Sequence, residues 1–311
     1  MRLQRFSHLF SEIGVSTQQN LDIPLCRDRN VHLDIKRDDL LHSIISGNKW
    51  RKLKHLMLML ESQGKTNIAT MGGAYSNLLH SLAYLCYRLN WSIEFFVRGY
   101  PEQKLTPTLQ DAQKWGMQLH SVSREAYREK HTQPFLDELK QKYPNSMIIA
   151  EGGSGVLAVK GVADLMREIE SSLPNLDVLV AACGTGGTLA GLVASAEHTK
   201  SILGIPVLKG AQFLNHDIEQ LLSSSGSSAQ CSWQLDLDGH YGGYGKVKAE
   251  HITAMQSIEQ HHQVLLEPVY VAKMWRRFDE LVSQDYFAPG AKVALLHSGG
   301  LQGRRGFKAL A

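Results

Sequence analysis

Residues 178–191 read VLVAACGTGGTLAG. A short uncharged run of β-prone residues reaches Cys183, then passes through Gly184, Thr185, Gly186, Gly187 and Thr188 into a small-residue helical pattern. A buried strand that meets a glycine turn and then a helix is the repeating junction of an open parallel α/β sheet. The glycines let backbone N–H groups approach a ligand closely, and a helix start favours an anion, so phosphate is the natural guest. No Gly-Lys-Ser/Thr follows, and Leu189 stands where a dinucleotide fingerprint needs its third glycine. The loop therefore reads either as a phosphate site without ATP or NAD credentials or as a bare strand–helix turn. The uncharged stretch Val178–Ala196 is long enough to raise the question of a membrane span. Its glycine-threonine centre suits a strand, a loop and a helix better, so no membrane association is expected.

The same alternation runs outward in both directions. Strands are predicted at Val31–Ile35, Ile68–Met71, Ile93–Val97, Met147–Ala150, Val178–Ala182 and Val293–His297. Helices are predicted at Lys49–Ser62, Asn77–Leu89, Phe135–Lys142, Gly155–Ser171, Thr188–Ala196, Val247–His261 and Pro268–Val282. This is α/β organisation with mainly parallel sheets. MGGAYSN and AEGGSG repeat the strand–glycine–helix junction, where such sheets place their ligands. Ser223–Gln230, SSSGSSAQ, reads as an exposed loop or insertion.

Composition narrows the function. The 311 residues are 43% hydrophobic and 20% charged, enough for a substantial core in about two domains. A net charge of +3 gives no reason to expect nucleic acid as a partner. Cys26, Cys86, Cys183 and Cys231 form no Cys-x-x-Cys pair and read as free thiols in a cytoplasmic protein. The opening MRLQRFSHLFSEIG has no apolar core of a secretory signal. The histidines are scattered, His261-His262 reads as a solvated helix end, and no metal is expected. Gly-x-Ser-x-Gly and His-Glu-x-x-His are both absent, which disfavours a hydrolase.

Ser46–Leu53, SGNKWRKL, is the second chemical segment. Lys49 lies at a helix start, which disfavours a positive charge, and burial would disfavour it further. A partly neutral lysine is the nucleophile that bonds an aldehyde. Lys52 follows three residues later on the same face, within reach of a phosphate. The segment taken alone reads more readily as a solvated basic helix face.

KRDD (Lys36–Asp39), SGNKWRKL, GGAYSNLLHSLAY (Gly72–Tyr84), EGGSGVLAVKG (Glu151–Gly161), CGTGGTLAG, GGYGKV (Gly242–Val247), EPVY (Glu267–Tyr270) and LHSGG (Leu296–Gly300) occur in that order. Together they resemble the aminocyclopropane-carboxylate deaminase/D-cysteine desulfhydrase family, pyridoxal-phosphate enzymes of the tryptophan-synthase-β type. The resemblance implies a fold type II enzyme: two open, mainly parallel twisted sheets flanked by helices. It divides the chain into a large cofactor-binding domain, residues 1–59 and 155–311, and a small domain, residues 60–154. It makes Lys49 the Schiff-base lysine, Lys52 a phosphate-contacting lysine, and Cys183 to Thr188 the phosphate loop. Asn77 would hydrogen-bond the cofactor's phenolic oxygen. Ser76, Tyr244 and Tyr270 would face the substrate, and Ser298 would offer the pyridine nitrogen a weak neutral partner. A homodimer is implied as well.

Three residues depart from the deaminase pattern. Val271 replaces a glutamate that faces the pyridine nitrogen, Ser298 replaces a leucine, and Leu78 replaces a longer polar residue. A carboxylate at 271 would keep that nitrogen protonated and deepen the electron sink; valine neither donates nor accepts. Opening a cyclopropane that lacks a Cα hydrogen needs the deeper sink. Removing a Cα proton and expelling a β substituent needs less. The expected reaction is β-elimination and deamination of a small amino acid, best matched by D-cysteine. The alternatives are 1-aminocyclopropane-1-carboxylate deamination and a weakly catalytic pyridoxal-phosphate-binding protein.

Overall fold

The apolar runs form two parallel sheets in the computed structural model, which describes residues 2–99 and 105–310. The order is α1 (Arg2–Ser11), β1 (Thr17–Leu21), α2 (Pro24–Asp28), β2 (His32–Arg37), α3 (Asn48–Ser62), β3 (Asn67–Gly72), α4 (Asn77–Leu89) and β4 (Ser92–Arg98). Then come α5 (Pro107–Lys114), β5 (Gln118–Val122), α6 (Arg124–Arg128), α7 (Gln133–Lys142), β6 (Met147–Ile149), α8 (Val156–Ser172), β7 (Val178–Cys183) and α9 (Gly187–Val193). The chain closes with β8 (Ser201–Pro206), α10 (Phe213–Ser224), β9 (Ser232–Leu235), α11 (Ala249–His262), α12 (Val271–Ser283) and β10 (Lys292–His297).

The larger sheet has the order β1-β2-β10-β7-β8-β9, and the smaller β5-β4-β3-β6. Among the described residues every pairing between these strands is parallel except β1 with β2. Each sheet buries aliphatic side chains against its helices. Ile35, Val180 and Leu295 meet Met274 and Phe278 of α12, while Ile68, Ile93 and Phe95 meet Leu79 and Leu82 of α4. Register brings Arg37 level with His297 and Leu296 level with Ala181. The loops leaving β2, β7 and β10 therefore open at one edge, where parallel sheets bind ligands.

Several predicted bounds need correction. The helix predicted at Thr188–Ala196 runs Gly187–Val193. It stops because the Glu170 carboxylate gathers the N–H groups of Glu197, His198 and Thr199 into a turn. The helix predicted from Pro268 starts at Val271, because Glu267 takes the preceding N–H groups itself. The helix predicted from Val247 starts at Ala249, where the Lys248 N–H donates to His251 Nδ1. Ser223 and Ser224, predicted as loop, are the last turn of α10. The uncharged stretch 178–196 is strand, turn and short helix. Among the described residues no helix is long and apolar enough to cross a membrane.

Where α3 begins, the chain is tightly pinned. Gly47 adopts φ +64°, and a Cβ there would lie 1.9 Å from the Ser298 carbonyl oxygen. The Gly47 N–H donates to Asp38 O at 2.9 Å and the Asn48 N–H to Ser298 O at 3.1 Å. Arg51 is buried and donates to both Asp38 oxygens, at 2.9 and 3.1 Å, and to Glu168 on α8 at 2.6 Å. Gly161 lets α8 cross directly over this turn: a Cβ there would lie 1.9 Å from the Arg51 carbonyl oxygen. Gly161→Ala should lower stability by about 1–3 kcal/mol, read as an earlier urea midpoint with an unchanged slope.

Candidate active site

Lys49 sits in the first turn of α3, its amine donating to Asn48 Oδ1 at 2.9 Å. Asn48 Nδ2 in turn donates to Thr188 Oγ1 at 3.0 Å, tying the lysine to the glycine loop. Burial lowers the Lys49 ammonium to about 8, against the pull of the Glu267 carboxylate. The lysine is thus far easier to deprotonate near physiological pH than an exposed one.

Lys52 is 3% exposed. Its amine donates to Gly152 O at 2.8 Å and Ser154 Oγ at 3.3 Å, and would stand 3.1 Å from a Cβ on Gly187. Burial, then the like charge of Lys49, push this ammonium well below its ordinary range, with Cys183 opposing. Ser154 Oγ and Thr185 Oγ1 are 2.8 Å apart, so the EGGSG and CGTGG loops meet here. Gly186 is left-handed at φ +75°, and Tyr270 packs on Gly184, its ring 3.0 Å from where a Cβ would stand. Cys183 is buried, its thiol pushed up to about 11 by burial against a Gly186 N–H and Lys52. The buried Lys52 amine, the hydroxyls of Ser154 and Thr185 and the first N–H groups of α9 therefore converge here. That donor set is the complement of a phosphate dianion.

Tyr270, packed on this loop, is paired with Tyr244. Their ring centres are 6.0 Å apart, nearly edge to face at 70°. Their phenols are hydrogen-bonded to one another, and burial raises both, Tyr270 well above its ordinary range. Glu267 is 2% exposed, and its carboxylate accepts from the N–H groups of Val269 (2.9 Å), Tyr270 (2.6 Å) and Val271 (3.4 Å). Burial nevertheless pushes it up to about 7. Lys273, one turn into α12, donates to His240 O at 2.8 Å and Gly243 O at 2.7 Å, which holds the loop carrying Tyr244.

The third wall is the start of α4. Ser76 caps that helix, its Oγ accepting from the Leu79 N–H at 3.2 Å. Asn77 lies against Gly300: a Cβ there would be 2.5 Å from Asn77 Nδ2. The Ser298 carbonyl is used by Asn48; its hydroxyl makes no hydrogen bond among the described residues, and the side chain is half-buried. Leu78 and Val271 are both packed in the core.

Residues 20–299 match the family described as pyridoxal-phosphate dependent enzyme. The chain belongs to that family. Its cofactor is pyridoxal phosphate, whose anionic end the Lys52 cradle fits and whose aldehyde needs an amine such as that of Lys49. A protein of Pyrococcus abyssi named putative 1-aminocyclopropane-1-carboxylate deaminase is 27% identical over 290 residues, covering 90% of this chain and 87% of its own. The bifunctional D-cysteine desulfhydrase/1-aminocyclopropane-1-carboxylate deaminase of Arabidopsis thaliana, a mitochondrial protein, is 26% identical over 294 residues, covering 86% of this chain and 72% of its own. A solved deaminase homologue superposes with a TM-score of 0.80 at 24% identity, covering 100% of this chain and 99% of its own. A hydrogen sulfide-producing enzyme from Fusobacterium nucleatum gives 0.65 at 13%, covering 94% and 98%. These two structures establish the shared fold type II architecture.

Asn48, Ser154, Glu267 and Lys273 also line or brace this candidate site without having been singled out from the sequence. Ser154 and Glu267 did lie in the ordered motifs, as did Asn48. Lys273 carried no signal, since only the fold brings it under Gly243.

Three outcomes test the site. Borohydride reduction of the protein with pyridoxal phosphate should label Lys49, and Lys49→Ala should abolish the label. The attachment rate to apoprotein should rise with pH and level off above about 8, rather than near the ordinary lysine value of about 10.4. Lys52→Ala should weaken cofactor affinity about 10- to 100-fold in a titration of the apoprotein, with a smaller effect on turnover at saturating cofactor.

Proposed function

We propose that the chain catalyses β-elimination and deamination of a small amino acid, with D-cysteine converted to pyruvate, sulfide and ammonia as the best substrate. The observation that carries this reading is Val271. It is fully buried, and its N–H faces Glu267, whose oxygens are already engaged by three backbone donors. Position 271 offers the pyridine nitrogen no carboxylate, and Ser298 has a free, neutral hydroxyl to offer instead.

When bound, the cofactor supplies an electron sink for the pair left on Cα. Lys49 would hold it through the aldehyde, and Lys52, Thr185, Thr188 and the loop N–H groups from Cys183 to Gly187 would hold its phosphate. Asn77 would donate to its phenolic oxygen. Lys49 Nζ would be the base for the Cα proton, since a proton affinity lowered to about 8 gives it a usable neutral fraction near neutral pH. Ser76 spends its oxygen on the helix cap and keeps its O–H to donate to the substrate. The raised phenols of Tyr244 and Tyr270 stay protonated and can give a proton to a departing thiolate. The domain division at residues 59/60 and 154/155, a homodimer and a cytoplasmic setting complete the proposal.

A second reading is 1-aminocyclopropane-1-carboxylate deamination, supported by the names of relatives at 25–27% identity. A weakly catalytic cofactor-binding protein is a third; the tyrosine pair packed against the glycine loop counts against it. The test is a panel of D- and L-amino acids and the cyclopropane acid, scored for ammonia, oxo acid and sulfide. D-cysteine should exceed the cyclopropane acid by about 100-fold in kcat/KM. Comparable turnover of the cyclopropane acid would overturn the argument from Val271.

A further inference from the structure

Beyond Gly300 the chain makes a tight turn, Leu301–Gly306, that lies over the starts of α4 and α5. Gln302 Nε2 donates to Asn77 Oδ1 at 2.7 Å and to the Tyr75 carbonyl at 3.3 Å, while Gln302 Oε1 accepts from Thr108 Oγ1 at 2.5 Å. The turn has its own anchors. Arg305 pairs with Asp111 at 2.7 Å, and Asp111 also meets His80 at 3.0 Å. Thr106 caps α5 and donates to Ala74 O at 2.6 Å, so α5 also holds the Ser76 turn.

This arrangement has a directional consequence. A backbone carbonyl can only accept, so Tyr75 O dictates that the N–H end of the Gln302 amide faces it. Thr108 can donate or accept and fits the remaining oxygen. With Nε2 thus placed, Asn77 must present its oxygen to Gln302. Its N–H end is then turned away, toward the Gly300 bend after β10.

We propose that Gln302 is a positioning residue that holds Asn77 with its N–H end toward the cofactor's phenolic oxygen, favouring that oxygen in its unprotonated form. The inference rests on the reading of Lys49 and Asn77 given above. A donor aimed at an anionic oxygen stabilises the anion, and an acceptor in its place favours the protonated form. The first form of lysine-bound cofactor absorbs in the visible, the second in the near ultraviolet.

The test reconstitutes apoprotein with pyridoxal phosphate and records the ratio of visible to near-ultraviolet absorbance, with folding checked by circular dichroism. Gln302→Met keeps the length of the side chain but frees the Asn77 amide. Its ratio should fall about three- to tenfold. Gln302→Glu has no N–H to give, draws the Asn77 donor to itself, and should lower the ratio at least as far. A folded Gln302→Met protein with the wild-type ratio overturns the proposal whatever the Glu variant does. If the wild-type protein shows no visible band and no borohydride label at Lys49, the cofactor reading itself fails, and that failure is separately visible.

Discussion

The site depends on a single buried guanidinium. Arg51 lies between Lys49 and Lys52 on α3 and is the only one of the three whose charge is matched, by Asp38 from the end of β2 and Glu168 from α8. Removing one partner of such a cluster leaves a buried charge uncompensated, a far larger loss than the cluster's net contribution to stability. Its effect here is to fix the rotation and height of α3. Gly47 and Gly161 remove the side chains that would otherwise block that placement. With Arg51 anchored, Lys49 and Lys52 are carried into the cleft, where neither amine has a carboxylate in contact among the described residues.

That division of labour explains why one segment supported two opposed readings. A run of Lys49, Arg51 and Lys52 resembles a solvated basic face, and composition cannot tell which cation meets a carboxylate. The answer lies in KRDD and in α8, 13 and 117 residues away from Arg51. Position along the chain made Lys49 legible; partners distant in sequence decide what each cation does.

The central strands were legible because both their faces are buried and they read as unbroken apolar runs. The strands missed were β1, β5, β8 and β9. β1 (TQQNL), β5 (QLHSV) and β9 (SWQL) are sheet edges with polar residues on the open side. β8 was hidden by Gly204 and Pro206. Gly204 is required, because a Cβ there would lie 2.5 Å from Leu189 of α9. Among the helices, α1, α2, α5, α6 and α10 went unread. α2 and α6 are five residues each, too short for periodicity to show. In the site, the glycine loop and Lys49 announced themselves through backbone requirements and charge. Glu267, Lys273 and Gln302 did not, because each acts on a backbone group or an amide that only the folded chain brings near.

The α12 helix gives the cleft an unusual mechanical inheritance. It begins at Val271, with Tyr270 as its cap, and through Lys273 grips the Gly243 carbonyl beside Tyr244. Both rings therefore ride on one rigid body, clamped at its head by Glu267 and along its flank by Met274 and Phe278. A substitution that tilts this helix displaces the pair together, so its cost cannot be apportioned between the two tyrosines by single replacements. Lineages that retune substrate preference on this scaffold have two distinct routes: exchanging a ring in place, or moving the beam that bears both.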